Sequence, residues 1–108
     1  MRPHPIVFNS FRESAKQGYP LGQYNLALLF KQKKVSPQPG EDMIELFKES
    51  AEQGETYAQY QLGCFLERGD GIPKNISEAI KWYERAAELS TVKGKIYIWN
   101  FKMIYLFK

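Results

Sequence analysis

The chain has 108 residues, a formal charge of +3 and an apolar fraction of 44%, values that suit one folded domain with a modest core and argue against disorder. Cys64 is the only cysteine, so no intrachain disulfide framework exists. The charge is unevenly spread: residues 1–34 carry six Lys/Arg and one acid, residues 35–90 five against eleven, and residues 91–108 four Lys and no acid. That is not the continuous basic stripe that nucleic-acid binding requires.

Met1-Arg2-Pro3-His4-Pro5 lacks an apolar run of signal-peptide length, and a cytoplasmic setting is the default expectation. From Ile6 to Gln17, Val7, Phe8, Phe11, Ser14 and Ala15 fall on one stripe at helical spacing, which predicts an amphipathic first helix closed by Gly18. Pro20 suits the first turn of a second helix running to about Gln32, because the N–H it lacks would be unpaired there anyway. Gly22, Leu26, Ala27 and Phe30 form its apolar face. Lys31-Gln32-Lys33-Lys34 followed by Val35-Ser36-Pro37-Gln38-Pro39-Gly40 reads as a loop, its lysines suiting a helix C-terminus where carbonyls point outward.

A third helix is predicted over about 41–53, with Met43, Ile44, Leu46, Phe47, Ser50 and Ala51 on one side and Glu41 and Asp42 in its first turn. Gly54 ends it, and a fourth helix runs from Thr56 to about Glu67. Its apolar face, Ala58, Leu62, Gly63 and Leu66, matches that of the second helix, and the small residues in both are expected at the crossing point within each helical pair. Arg68-Gly69-Asp70 fills the turn that follows and is not read as an adhesion motif. Asn75 can cap a fifth helix, with Glu78 answering three residues on, and Ala79, Ile80, Trp82, Tyr83, Ala86 and Ala87 supply its stripe. The last stretch, Ile96 to Phe107, is strongly aromatic yet too short and, with Lys102, too charged to span a bilayer. Its position favours a sixth, capping helix; an apolar docking segment and a poorly folded end are the other readings.

These elements repeat. Phe11, Glu13, Ser14, Ala15, Gln17, Gly18, Gln23, Tyr24 and Leu26 recur 36 positions later as Phe47, Glu49, Ser50, Ala51, Gln53, Gly54, Gln59, Tyr60 and Leu62, without insertion. Units of 30 to 40 residues built from helix pairs make solenoids, in which each unit buries its apolar face against its neighbours. The expected organisation is one repeat domain over 1–108: a partial unit at 5–18, repeats at 19–54 and 55–90, and a degenerate C-terminal helix at 91–108.

Gln53-Gly54 followed by Ala58-Gln59-Tyr60-Gln61-Leu62-Gly63, the loop Gly69-Asp70-Gly71-Ile72-Pro73-Lys74-Asn75, and Glu78-Ala79-Ile80-Lys81-Trp82-Tyr83-Glu84-Arg85-Ala86-Ala87 resemble the Sel1-like repeat, a relative of the tetratricopeptide repeat. The preceding unit departs from the pattern, with Lys33-Lys34-Val35 in place of the glycine loop and Met43-Ile44-Glu45-Leu46-Phe47 in place of the alanine-led second helix. The resemblance implies an all-α fold, a right-handed superhelix of antiparallel helix pairs with five to six helices, and a role as a scaffold or adaptor in protein complexes. It also implies a piece of a longer array or a minimal one. A cysteine-rich bacterial branch of the family ties each pair with a disulfide and is linked to β-lactams; Cys64 alone cannot supply that device.

Nothing in the sequence assembles a catalyst. His4 stands in a proline-flanked terminus, Cys64 is expected on the outer side of the fourth helix, away from its core stripe, as a plain surface or inter-unit thiol, and no set of ligands has zinc spacing. No catalytic residue, metal or other cofactor is expected. At 100° per residue, the second helix turns Leu21, Tyr24, Asn25 and Leu28 away from its core stripe, and the fourth turns out Tyr57, Tyr60 and Gln61. Aromatic and aliphatic side chains among amides suit an interface, although they equally suit packing against the next unit. The expected function is capture of an extended peptide or a helix in a groove lined by the first helix of each repeat. The alternatives are self-association through Ile96 to Phe107 and, more remotely, β-lactam hydrolysis.

Overall fold

A computed structural model of the chain describes the backbone of residues 5–88 and the side chains of residues 9–87. Five helices occupy it: α1 (Pro5–Lys16), α2 (Pro20–Lys31), α3 (Met43–Glu52), α4 (Thr56–Arg68) and α5 (Ile76–Glu88), with no strand among the described residues. His4 and the stretch from Ile96 to Phe107 lie outside them.

The helix ends follow from local chemistry. Gly18 and Gly54 adopt φ of 84° and 99°, the left-handed region a side chain resists. Around them the chain repeats its hydrogen bonds one period apart: Gly18 N–H to Ala15 O and Tyr19 N–H to Ser14 O, then Gly54 N–H to Ala51 O and Glu55 N–H to Ser50 O. Pro20 stands in the first turn of α2. Glu41 and Asp42 precede α3 rather than forming its first turn; the Asp42 carboxylate caps it, accepting from the Glu45 N–H at 3.1 Å. Asn75 Oδ1 accepts the Glu78 N–H at 3.0 Å at the start of α5. The long loop before α3 is pinned to α1 by Arg12, which meets Glu41 at 3.0 Å and donates to Ser36 O at 2.9 Å.

Each helix packs against its neighbours in sequence, giving an α-solenoid. Ala15, Ala51 and Ala87, one period apart, are 9%, 1% and 7% exposed. The larger core cluster joins Phe47 and Ala51 of α3 to Ala58, Leu62, Phe65 and Leu66 of α4 and to Ala79, Ile80, Trp82 and Tyr83 of α5. A smaller one groups Ala15, Leu26 and Phe30.

The small residues act at two kinds of crossing. A Cβ on Gly63 would lie 2.7 Å from the Tyr83 ring, so this glycine seats α5 within its own pair. A Cβ on Gly22 would collide with the Ser14 side chain, so there the close approach joins α2 to the preceding helix instead of to its own partner. Two buried amides were not part of the expected apolar stripe. Gln23 is fixed from both sides, donating to Glu49 at 2.9 Å and accepting from Gln53 at 2.7 Å. Gln59 is its equivalent one period later. Gln59 donates to Ala51 O at 3.2 Å, and its Oε1 is buried with no hydrogen-bond partner among the described residues.

Candidate functional site

The first helices of the two described repeats, α2 and α4, meet through side chains, the Tyr24 ring on Tyr57 and the Lys31 ammonium on Gln61. Residues 21, 24, 28 and 31 recur every three or four positions along α2, and 57, 61, 64 and 68 do so along α4, with 60 beside 61. The large apolar side chains that remain exposed among the described residues are Tyr19, Leu21, Tyr57 and Tyr60. All four belong to these helices or to the residue before α2.

Each expected site residue has a definite place. Leu21 and Tyr57 are the most exposed, at 57% and 67%. Tyr24 is half-buried: its ring stacks on Tyr57 with centroids 5.9 Å apart and tilts against the core residue Phe47 at 6.0 Å. Burial, then the nearby Glu55 carboxylate and the Tyr57 hydroxyl, push the Tyr24 phenol above its ordinary value. Asn25 and Leu28 are half-buried on the same helix. Tyr60 is 40% exposed and leans on Tyr83 of α5, centroids 5.7 Å apart. Gln61 is half-buried and accepts from the Lys31 ammonium at 2.7 Å. The Tyr24–Tyr57 stack and the Lys31–Gln61 bond each bring α2 and α4 together, whereas Tyr60 turns toward α5.

Two placements differ from expectation. Cys64, expected on the outer side of α4, is half-buried against the main core, and the Tyr83 hydroxyl, which donates to Glu67 at 2.8 Å, lies 3.3 Å from its sulfur. Helix rotation alone misplaces it because Tyr83 reaches over from α5. Lys31, read from sequence as part of a helix-ending lysine run, belongs to the contact between α2 and α4. Its ammonium also sits 5.9 Å over the Phe65 ring. The available signal was its spacing of seven from Tyr24, two full helical turns.

Elsewhere, a cleft of about 410 Å³ opens between α1 and α3 over Ala15, Leu26 and Leu46, with the Arg12–Glu41 pair in its lining. No group of three or more His, Cys, Asp or Glu among the described residues is arranged to hold a metal.

Stacked helix pairs with an exposed aromatic face define an α-solenoid repeat protein. Residues 56–90 match the Sel1 repeat family model. The crystal structure of a Sel1 repeat protein from Oxalobacter formigenes is similar at a TM-score of 0.79 and 31% identity, covering 92% of this chain and 40% of that one. A protective antigen present in uropathogenic Escherichia coli strains, displaying an SLR fold, is similar at a TM-score of 0.79 and 25% identity, covering 97% of this chain and 23% of that one. No curated protein sequence matches. Residues 56–90 thus carry a Sel1 repeat, the chain is similar in fold to Sel1-repeat and SLR proteins, and it spans less than half the length of either solved relative. Sel1 repeats generally mediate protein–protein interaction, and scaffolds built from them are generally non-catalytic. None of the described helices is long and apolar enough to cross a membrane.

Proposed function

We propose that the face formed by α2 and α4 is a docking groove for an extended peptide or a helix of another protein, and that the chain acts as a scaffold or adaptor. The observation that carries this reading is the location of the exposed Tyr19, Leu21, Tyr57 and Tyr60 on one pair of first helices. Rigid tyrosines offer large contact area at low entropic cost and are enriched where partners bind. The domain carrying this groove comprises the partial unit at 5–18 and the repeats at 19–54 and 55–90.

The test uses the most exposed side chains. Tyr24 and Tyr60 also pack against Phe47 and Tyr83, so their removal mixes binding with stability. Replacing Leu21 and Tyr57 together by alanine is expected to weaken capture of a partner isolated from the native host at least tenfold. Helical content and melting temperature should stay within a few degrees of the parent. Unchanged capture would overturn the reading.

A further inference from the structure

The groove is not uniform along its length, and the difference between its ends selects a partner chemistry. At one end stands the stacked pair Tyr24 and Tyr57, with Leu21 exposed beside it on α2. Glu55, whose carboxylate caps α4 by accepting from the Tyr57 N–H at 3.0 Å, gives that end a negative charge. At the other end lies Lys31. Its ammonium bonds the neutral Gln61 and meets no carboxylate among the described residues. Exposed Lys33, Lys34 and Arg68 follow at the same helix ends. The positive end is thus held in place by an amide and an aromatic ring and keeps its charge available to a partner.

Resting on the groove reading above, we infer that the occupant is an extended segment carrying an aromatic or large aliphatic side chain and, three residues further on, an aspartate or glutamate. The spacing follows from helix geometry. Tyr24 and Lys31 are seven residues apart, about 10 Å along α2 at roughly 1.5 Å per residue. In the polyproline II conformation residues i and i+3 share a face and lie about 9 Å apart. A pleated strand fits poorly, because its same-face neighbours are about 7 or 13 Å apart. A polyproline II segment makes no internal hydrogen bonds, so its backbone needs outside partners. Asn25, half-buried beside Tyr24, and the NH2 of Gln61, whose Oε1 already accepts from Lys31, are the side-chain amides on the two helices that can supply them. Charge sets the direction: the acid points toward the C-terminal end of α2, away from Glu55.

Selection from a display library of random 12-residue peptides on the full chain tests this. The expected result is enrichment of an aromatic or aliphatic residue followed at the third position by Asp or Glu. A selected peptide should bind about tenfold more tightly than its Glu-to-Lys counterpart, since attraction at an exposed pair is replaced by repulsion. Lys31→Glu should invert that preference and Lys31→Gln should abolish it, with circular dichroism unchanged because Lys31 is exposed. Peptides that depend on Tyr57 but ignore both Lys31 variants would overturn the acidic motif and leave the groove reading standing. Failure to enrich any sequence would overturn both.

Discussion

Lys33 sits at φ 58°, the left-handed conformation that Gly69 occupies one period later at φ 69°. Both close a first helix: the Lys33 N–H reaches Phe30 O and the Gly69 N–H reaches Phe65 O. A side chain there crowds the following carbonyl, a cost of about 1–2 kcal/mol that glycine avoids, offset by about 0.4–1 kcal/mol for the greater freedom of glycine in the unfolded chain. Lys33→Gly is therefore expected to raise stability by roughly 0.5–1 kcal/mol, a few degrees in melting temperature. Lys34→Gly, at a residue with ordinary backbone, should lower stability; equal effects from the two would contradict the assignment. At this scale the sequence was informative wherever a residue carries its own constraint. Gly18, Gly54, Pro20 and the Asn75 cap were readable because their roles depend on backbone or local side-chain chemistry. The conformation of Lys33 was not, since lysine gives no sign of a left-handed turn and only its alignment with Gly69 hints at one.

The helix pairs owe their closeness to residues without side chains. Within an isolated helix, replacing glycine by alanine would help by about 1 kcal/mol. At Gly63 the added methyl would press on the fully buried Tyr83 ring at 2.7 Å, and overpacking of a filled core costs roughly 1–3 kcal/mol. Gly63→Ala is accordingly expected to lower the denaturation midpoint of the protein. A raised midpoint would mean that α5 can retreat without loss. The five helices and their apolar stripes were legible because 3.6-residue periodicity depends on the chain alone. Which helix meets which small residue was less so: Gly22 and Gly63 look alike in sequence, yet one faces Ser14 of the preceding helix and the other Tyr83 of the following one. The burial of Gln23 and Gln59 was likewise hidden, because it depends on Glu49, Gln53 and Ala51 of the adjoining helix.

Across the molecule, a one-dimensional stack leaves Leu21 and Tyr57 of its first helices exposed, and the proposed docking function rests on that. The outward set Leu21, Asn25, Leu28, Tyr57 and Gln61 was readable from helical rotation. The dual role of Tyr24 and the inclusion of Lys31 were not, because both rest on contacts between units: Tyr24 with Phe47 and Tyr57, Lys31 with Gln61 and Phe65. The groove can be tested directly by following backbone amide chemical shifts while a selected 12-residue peptide is titrated into the labelled protein. Shifts concentrated on α2 and α4, strongest near Leu21, Tyr24, Leu28, Tyr57 and Gln61, are the predicted result. Shifts centred on the α1–α3 cleft or on the outer side of α5 would contradict it.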